Sequence, residues 1–232
     1  MRKKTAKIRG DGEKTRESLI EVAGELAAER GWSNVTAKDV CDVAGVNCAS
    51  VNYWFGGRDE LYLAVLLRIP ETIFSQELEI EMVQYESTEE ALRYFFMHHL
   101  QHIDDRKSWP MRVWAREVTT NPSQNMLRLV SEFGMPRIRA LHRFFADFLG
   151  LSDCSDTRVS AAFISSMGPV LLLWLVTPEY RNIVVPGFKT DPESMRQLLI
   201  DRIMLGLKAQ REAIQSEKAY SLWPYAFEAA AD

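Results

Sequence analysis

A chain of 232 residues, 47% hydrophobic and 26% charged, has the make-up of a soluble globular protein with one large or two modest domains. Its longest apolar run, Val170 to Val176, is far shorter than the roughly 20 residues that span a bilayer, and no apolar segment with a cleavage site follows the basic start. Three cysteines, Cys41, Cys48 and Cys154, form no paired framework and no CxxC, as expected of reduced thiols in a cytoplasmic protein.

The net charge of −4 is unevenly spread. Residues 1–16 hold seven basic and two acidic side chains, a local +5 that leaves −9 for the remainder. Residues 1–14 therefore read as a flexible basic arm suited to DNA phosphates, or equally as a solubilising tail. From Thr15 to Arg30, Leu19, Val22, Ala23, Leu26 and Ala27 recur at helical spacing, and Gly31 ends the run. Thr36 with Asp39 forms a capping box at the head of a short helix that carries Val40, Val43 and Ala44 and stops at Gly45. Asn47 then caps a second short helix, on which Val51 and Phe55 share a face. Two helices joined by a tight glycine turn are a helix-turn-helix plan, whose second helix lies in the DNA major groove. Gly56-Gly57 breaks that helix, Arg58-Asp59-Glu60 opens the next, and Pro70 ends or kinks it.

Beyond residue 71 the helices lengthen. Ser87 to Glu90 is a capping box for a helix running to about Asp104, and Pro110 suits the first turn of another that closes at Asn121-Pro122. Ser123 to Leu149 is helical by period, with a break or kink at Gly134 and Pro136. Ser155 to Val176 is the most apolar helix, interrupted at Gly168-Pro169. Asp191-Pro192-Glu193 starts the last, striped by Met195, Leu198, Leu199, Ile203 and Leu207. With no convincing strand and no internal repeat, the fold class is all-α. The expected organisation is the arm 1–14, a three-helix DNA-binding domain 15–70, and a larger helical domain 71–232.

The text TRESLIEVAGELAAERGW, then TAKDVCDVAGVN, then VNYWFGGRDELYLAVL strongly resembles the tetracycline-repressor (TetR) family of bacterial transcription regulators over about Thr15 to Leu67. Val46-Asn47 with Asn52-Tyr53-Trp54-Phe55-Gly56 looks closest to the subgroup named for the regulator CecR, which Trp114-Ala115-Arg116-Glu117 and Asn121-Pro122-Ser123 echo further on. The resemblance implies a homodimer with N-terminal DNA-reading heads and a helical domain that binds a small-molecule effector. It also implies a dimer interface of two late helices, here Ser155–Val176 and Pro192–Gln210, which are apolar enough to require burial in that interface or in the monomer core. A two-fold dimer calls for a near-palindromic double-stranded operator, and repression with release by an inducer is the family-level expectation.

Carried over by position, Thr36 and Arg58 are phosphate contacts and Tyr53 a backbone contact. Base reading falls to Asn47, Cys48, Ala49 and Asn52. Asn52 departs from the wider family's Tyr but can bond bidentately to adenine. Trp54 lies on the sugar-phosphate or packs inside, the former being favoured. For the effector pocket, which needs apolar lining with a few polar groups, the candidates are Phe95, His99, Trp109, Trp114, Met126, Phe133 and His142; each also reads as plain core.

Four alternatives compete. His98 and His102, four apart, with Asp105 suggest a metal-responsive regulator, though no HExxH or cysteine supports a metal site. Cys48 on the reading helix suggests a redox switch. An enzyme would need a nucleophile with its base; there is no GxSxG, no Gly-rich phosphate loop and no catalytic Cys signature, so neither enzyme nor cofactor is expected. A helical dimer without DNA activity would leave the basic segment and the reading helix unexplained.

Overall fold

The computed structural model describes residues 2–73, 75–103 and 109–216, with side chains from residue 12 onward. The protein is all-α, with no strand among the described residues. Two compact units divide the chain: one takes in Met1–Gln76 and Asp104–Arg137, the other Glu77–Ile103 and Ile138–Asp232.

The first unit is built on α1 (Arg2–Arg30). The basic segment expected as an arm is the start of this helix rather than a separate coil. Arg and Lys are good helix formers and no proline intervenes. Leu19, Ile20, Ala23, Leu26 and Ala27 are buried along one face. Against it pack α2 (Ala37–Ala44), α4 (Arg58–Leu66) and α8 (Trp109–Thr119). The core they share holds Val40, Cys41, Val51, Leu61, Tyr62, Val65, Leu66, Trp109, Val113 and Met126. Glu21, Glu25 and Glu29, one turn apart on α1, meet α8 in register. Trp109 Nε1 donates to Glu21 at 2.7 Å, Arg112 pairs with Glu25, and Arg116 donates to the Glu29 carbonyl at 3.1 Å. Pro70 falls in the first turn of α5 (Arg68–Ile73), so the expected break comes before it, at Leu67.

One column of side chains, half-buried at Arg58 and Trp32 and buried at Tyr62 and Glu117, supports the helix-turn-helix. Arg58 donates through Nε to the Val35 carbonyl at 2.7 Å and through Nη2 to the Trp32 carbonyl. Its guanidinium lies 4.5 Å from the Trp32 ring centroid. Trp32 stacks in turn on Tyr62, 4.4 Å apart and 5° from parallel. The Tyr62 hydroxyl donates to buried Glu117, whose second oxygen accepts the Ser123 N–H at 2.7 Å. Burial, then the bond to Glu117, pushes the Tyr62 hydroxyl pKa well above its ordinary value, so it remains a donor. Ser123 caps α9 (Gln124–Leu129), which reaches back to α4 through Asn125 to the Asp59 carbonyl at 3.1 Å and Arg128 to Glu60 at 3.6 Å.

The expected break at Gly134 and Pro136 is a π-turn, Val130–Gly134, leading into α10 (Met135–Leu149). The Met135 N–H reaches the Val130 carbonyl five residues back, and Pro136 has no N–H with which to resume the normal ladder at once. In the second unit, α7 (Thr88–Gln101) opens on the expected Ser87–Glu90 box and packs on α14 (Pro192–Gln215). Arg93 pairs with Asp201 at 2.8 Å and Lys208 with Glu89 at 2.7 Å. Helix α11 (Thr157–Leu175) runs unbroken through Gly168-Pro169, because a proline inside a well-packed helix costs one bond without ending it. Two short helices the periodicity did not reveal, α12 (Pro178–Val184) and α13 (Gly187–Thr190), link α11 to α14. Arg181 of α12 is buried, its guanidinium 4.9 Å from the Phe188 ring. The helix runs past Gln210 to Gln215; Trp223-Pro224-Tyr225 lie outside the described residues.

Gly24 sits mid-helix in α1, where alanine would ordinarily gain about 1 kcal/mol of helix propensity. A Cβ there, however, would overlap the Trp109 indole. Gly24→Ala is therefore expected to destabilise the protein by about 1–3 kcal/mol, the usual effect of overpacking, read as a lower urea midpoint. Arg58→Ala, which strands two carbonyls and uncovers Trp32, should cost about 1.5–3 kcal/mol in the same assay. Arg58→Lys should fail to restore it, since an ammonium cannot fork between carbonyls while lying on a ring.

Candidate nucleic-acid interface

Helix α2 begins at the capping box read from the sequence. Thr36 Oγ1 accepts the Asp39 N–H at 3.1 Å, and the Asp39 carboxylate accepts the Thr36 N–H at 2.8 Å and its hydroxyl at 2.6 Å. These bonds, the hydroxyl's first, hold the Asp39 pKa below its ordinary value. The Thr36 proton is thus turned to Asp39 rather than outward. Val40 is fully buried, but Val43, expected on the same face, is 62% exposed: an eight-residue helix packed on one side has room for only one inward stripe. Gly45 takes φ 67°, the left-handed conformation that ends α2.

The chain then turns into α3 (Ala49–Phe55). Asn47 Oδ1 accepts the Ala49 N–H at 2.8 Å, so the expected cap exists two residues ahead of the helix proper, with Cys48 between in helical conformation. Val51 is buried and Phe55 half-buried against the core, and Arg16 of α1 lies 5.4 Å from the Phe55 ring centroid. Gly56, at φ 81°, closes the helix.

Asn47, Cys48, Ala49, Asn52 and Tyr53 all lie exposed on one surface of this motif, with Tyr53 77% exposed. Two expected contacts are placed differently. Trp54 is half-buried and packs on the core, with its ring edge-on to Tyr53 at 4.9 Å, because α3 is too short to turn both aromatics outward. Arg58, expected as a phosphate anchor, is bound instead by the carbonyls of Trp32 and Val35, by the Trp32 face and by Asp59 at 3.7 Å. The sequence reading passed over Lys38, exposed in the first turn of α2; the signal was a cation beside a helix cap, where a phosphate could reach it together with free backbone N–H groups. The basic side chains of residues 2–9 lie outside the described residues.

The seven effector-pocket candidates are not brought together. Trp109, Trp114 and Met126 belong to the core of the first unit, beside the motif. Phe133 is 42% exposed in the π-turn. In the second unit, Phe95 and His99 are buried with ring centroids 4.3 Å apart, and Trp174 lies 5.1 Å from His99. His142 of α10 lies 4.8 Å from Phe163, and its buried Nε2 has no hydrogen-bond partner; burial lowers its pKa. The His98 and His102 ring centroids lie 4.6 Å apart with the rings tilted by 37°, and His102 Nδ1 is on the His98 carbonyl at 2.7 Å. Among the described residues no three His, Cys, Asp or Glu side chains gather as a metal cage, and Asp105 lies outside them.

Residues 19–65 match the family model of bacterial regulatory proteins, tetR family. The HTH-type transcriptional dual regulator CecR of Shigella flexneri is 29% identical over 121 residues, 52% of this chain and 46% of that protein; the match spans about half the length of this curated relative. Among solved structures, NalD, the secondary repressor of the MexAB-OprM multidrug efflux pump in Pseudomonas aeruginosa, superposes with a TM-score of 0.56 at 18% identity, over 85% of this chain and 97% of that one. The fatty acid degradation regulator FadR from Bacillus halodurans gives 0.58 at 12% identity, over 81% and 96%. HlyIIR, a hemolysin II transcriptional regulator, gives 0.54 at 18%, over 82% and 97%. At these identities the superpositions speak for the fold alone. The match over residues 19–65 falls on α1 to α4, the helices that carry the capped turn and the exposed face of α3, and over this stretch the chain carries a helix-turn-helix of the kind found in bacterial regulatory proteins of the tetR family.

Proposed function

We propose that the protein is a ligand-responsive repressor that binds a near-palindromic operator as a homodimer and leaves it when a small-molecule inducer binds. The observation that carries this reading is the solvent-facing surface of α3, on which small and amide-bearing side chains stand clear of the core. Asn52 offers a donor and an acceptor to an adenine edge, and Ala49 and Cys48 are small enough to meet a thymine methyl. Asn47 keeps its amide nitrogen free for DNA while its oxygen caps α3. Tyr53, the most exposed aromatic of the motif, lies against the backbone. Phosphate anchoring falls to the first turn of α2, where Lys38 and the backbone N–H groups act together, while Arg58 holds that turn in place from behind.

The dimer rests on a second observation. Helix α11 is long and apolar enough to cross a membrane by composition, yet Val159, Ala162, Met167, Val170, Leu173 and Trp174 are buried within its own unit. On its other side Ile164, Leu172 and Leu175 are 58%, 61% and 37% exposed, and Leu198 and Leu205 of α14, seven residues apart, are 57% and 58% exposed. Apolar stripes on two packed helices, left open to water, suit a second copy that presents the same stripes by two-fold symmetry. Gly168 and Gly206, where an added Cβ would meet no neighbouring side chain, would let such helices approach closely.

An inducer would act by favouring one arrangement of the dimer over the DNA-bound one, and DNA would weaken inducer binding by the same factor. His142 is the group we assign to it: a buried, unpaired ring nitrogen beside Phe163 is satisfied by an incoming polar ligand.

The test is selection of genomic fragments by the purified protein, followed by a screen for small molecules that release them. Asn52→Ala should lose about 1–3 kcal/mol of discrimination at one base per half-site, measured against singly substituted duplexes; unchanged affinity and preference would remove Asn52 from the reading set. Leu198→Glu should sediment as a monomer and lose operator binding, and a variant that remained dimeric would move the interface elsewhere.

A further inference from the structure

The second unit carries a pair of tyrosines that neither DNA reading nor the His142 position uses. Helix α6 (Gln76–Met82) is anchored by Leu78 and Met82, four apart and both buried. The turn after it brings Tyr85, 41% exposed, against Tyr94 of α7, with ring centroids 5.1 Å apart and the rings tilted by 34°. The Tyr94 hydroxyl donates to Oε2 of Glu81 in the last turn of α6, which fixes the ring. That bond, then burial, pushes the Tyr94 hydroxyl up to about 12, so it stays a neutral donor, and a phenol that donates to a carboxylate has an electron-rich ring. Two open clefts of about 300 Å³ each are lined by this pair. Glu81 and Gln84 complete the first. Glu90, Arg93 and Met97 of α7, with Gln197 and Ile200 of α14, complete the second.

The charge around the clefts is one-sided. Residues 76–90 hold six glutamates and no Lys or Arg. Arg93 is engaged by Asp201 at 2.8 Å and Glu89 at 3.5 Å. Glu81 and Glu90 are bonded to neutral hydroxyls, those of Tyr94 and Ser87. His98, its ring 6.3 Å from Tyr94, has its pKa lowered by burial, so it adds no charge at neutral pH. An aromatic face beside a carboxylate attracts a weakly hydrated organic cation, whereas a metal ion needs more oxygen or nitrogen ligands than one carboxylate. We propose that the two clefts form one binding site for an organic ammonium ion with a short apolar tail. The head lies against the tyrosine pair beside Glu81, in the cleft that no basic side chain lines, and the tail runs along Met97 and Ile200. At 5.1 Å the rings leave no space between them, so the head takes an outer face. The site is additional to the His142 position, and its test involves no DNA, so it stands or falls apart from the regulator reading.

The test titrates hexyltrimethylammonium chloride into the full chain, followed by NMR of labelled tyrosine rings and methionine methyls. Tetramethylammonium serves as the head alone and 1-hexanol as the tail alone. Saturable shifts of Tyr85, Tyr94 and Met97 are expected with hexyltrimethylammonium. Tetramethylammonium should bind more weakly and move only the tyrosines, 1-hexanol should move none of the three, and added salt should weaken binding. Tyr85→Leu should weaken binding roughly threefold to thirtyfold, the range for loss of a cation–aromatic contact. Gln84→Lys places a like charge in the first cleft without touching the ring pair or the Glu81 bond, and should weaken it about two- to fivefold. Far-UV circular dichroism checks that each variant keeps its helices. No saturable shift at millimolar concentration would overturn the site, as would shifts confined to other residues or wild-type affinity in both folded variants. Binding of 1-hexanol as tight as that of the ammonium would overturn the cationic class.

Discussion

A guanidinium held between two carbonyls and an indole face supports the helix-turn-helix of this protein. Arg58 ties down Val35 and Trp32, the residues that lead into α2, and Trp32 passes the load to Tyr62 and so to Glu117. Each member would be costly alone in the core, since an unpaired buried acid or hydroxyl forfeits its hydration. Together they satisfy one another, and removing any one strands the next. The entry to the motif is therefore set by side chains from three stretches of the chain, about residues 32–35, 58–62 and 117–123, and not by the motif's own short helices. Helices of seven and eight residues have little stability of their own; α2 and α3 hold their angle because α1, α4 and α8 form a rigid floor beneath them.

The same economy explains what the motif shows to solvent. With Val40, Cys41 and Val51 buried and Trp54 and Phe55 leaning on the core, the outward surface of α3 is left to residues that pack against nothing in the unit. Those residues are small or carry amides, a composition suited to hydrogen bonding with base edges and poor for packing. In the second unit the imbalance runs the other way. Helices α11 and α14 bury one face each and expose leucine and isoleucine on the other, a surplus of apolar area that a lone chain leaves in water and a second copy can cover.

The ring-rich interior of the second unit accommodates its two histidines differently. His99 lies among Phe95 and Trp174 with Nδ1 on the Phe95 carbonyl, which is how a buried imidazole is ordinarily accommodated. His142 has Phe163 nearby but leaves Nε2 unpaired. Two histidines on helices looked alike as letters; only their neighbours separate them.

Local rules made much of this chain legible in advance. The capping boxes at Thr36 and Ser87, the glycine stops at Gly45 and Gly56, the all-helical class and the helix-turn-helix depend on residues three or four apart, so the sequence by itself determined them. Tertiary structure decided which side chain of a suitable type is free to act. Arg58 and Trp54 have the chemistry of DNA contacts, yet residues 23 and 26 positions away and the packing of a short helix turn them inward. Val43 has the chemistry of core but finds no partner. Trp109, Trp114 and Met126 read as pocket lining because nothing in their spacing shows that α8 and α9 pack on α1 and α4. The physical reason is common to all of these: periodicity tells which residues share a face of their own helix, whereas the partner of that face is chosen by contacts far apart in the chain.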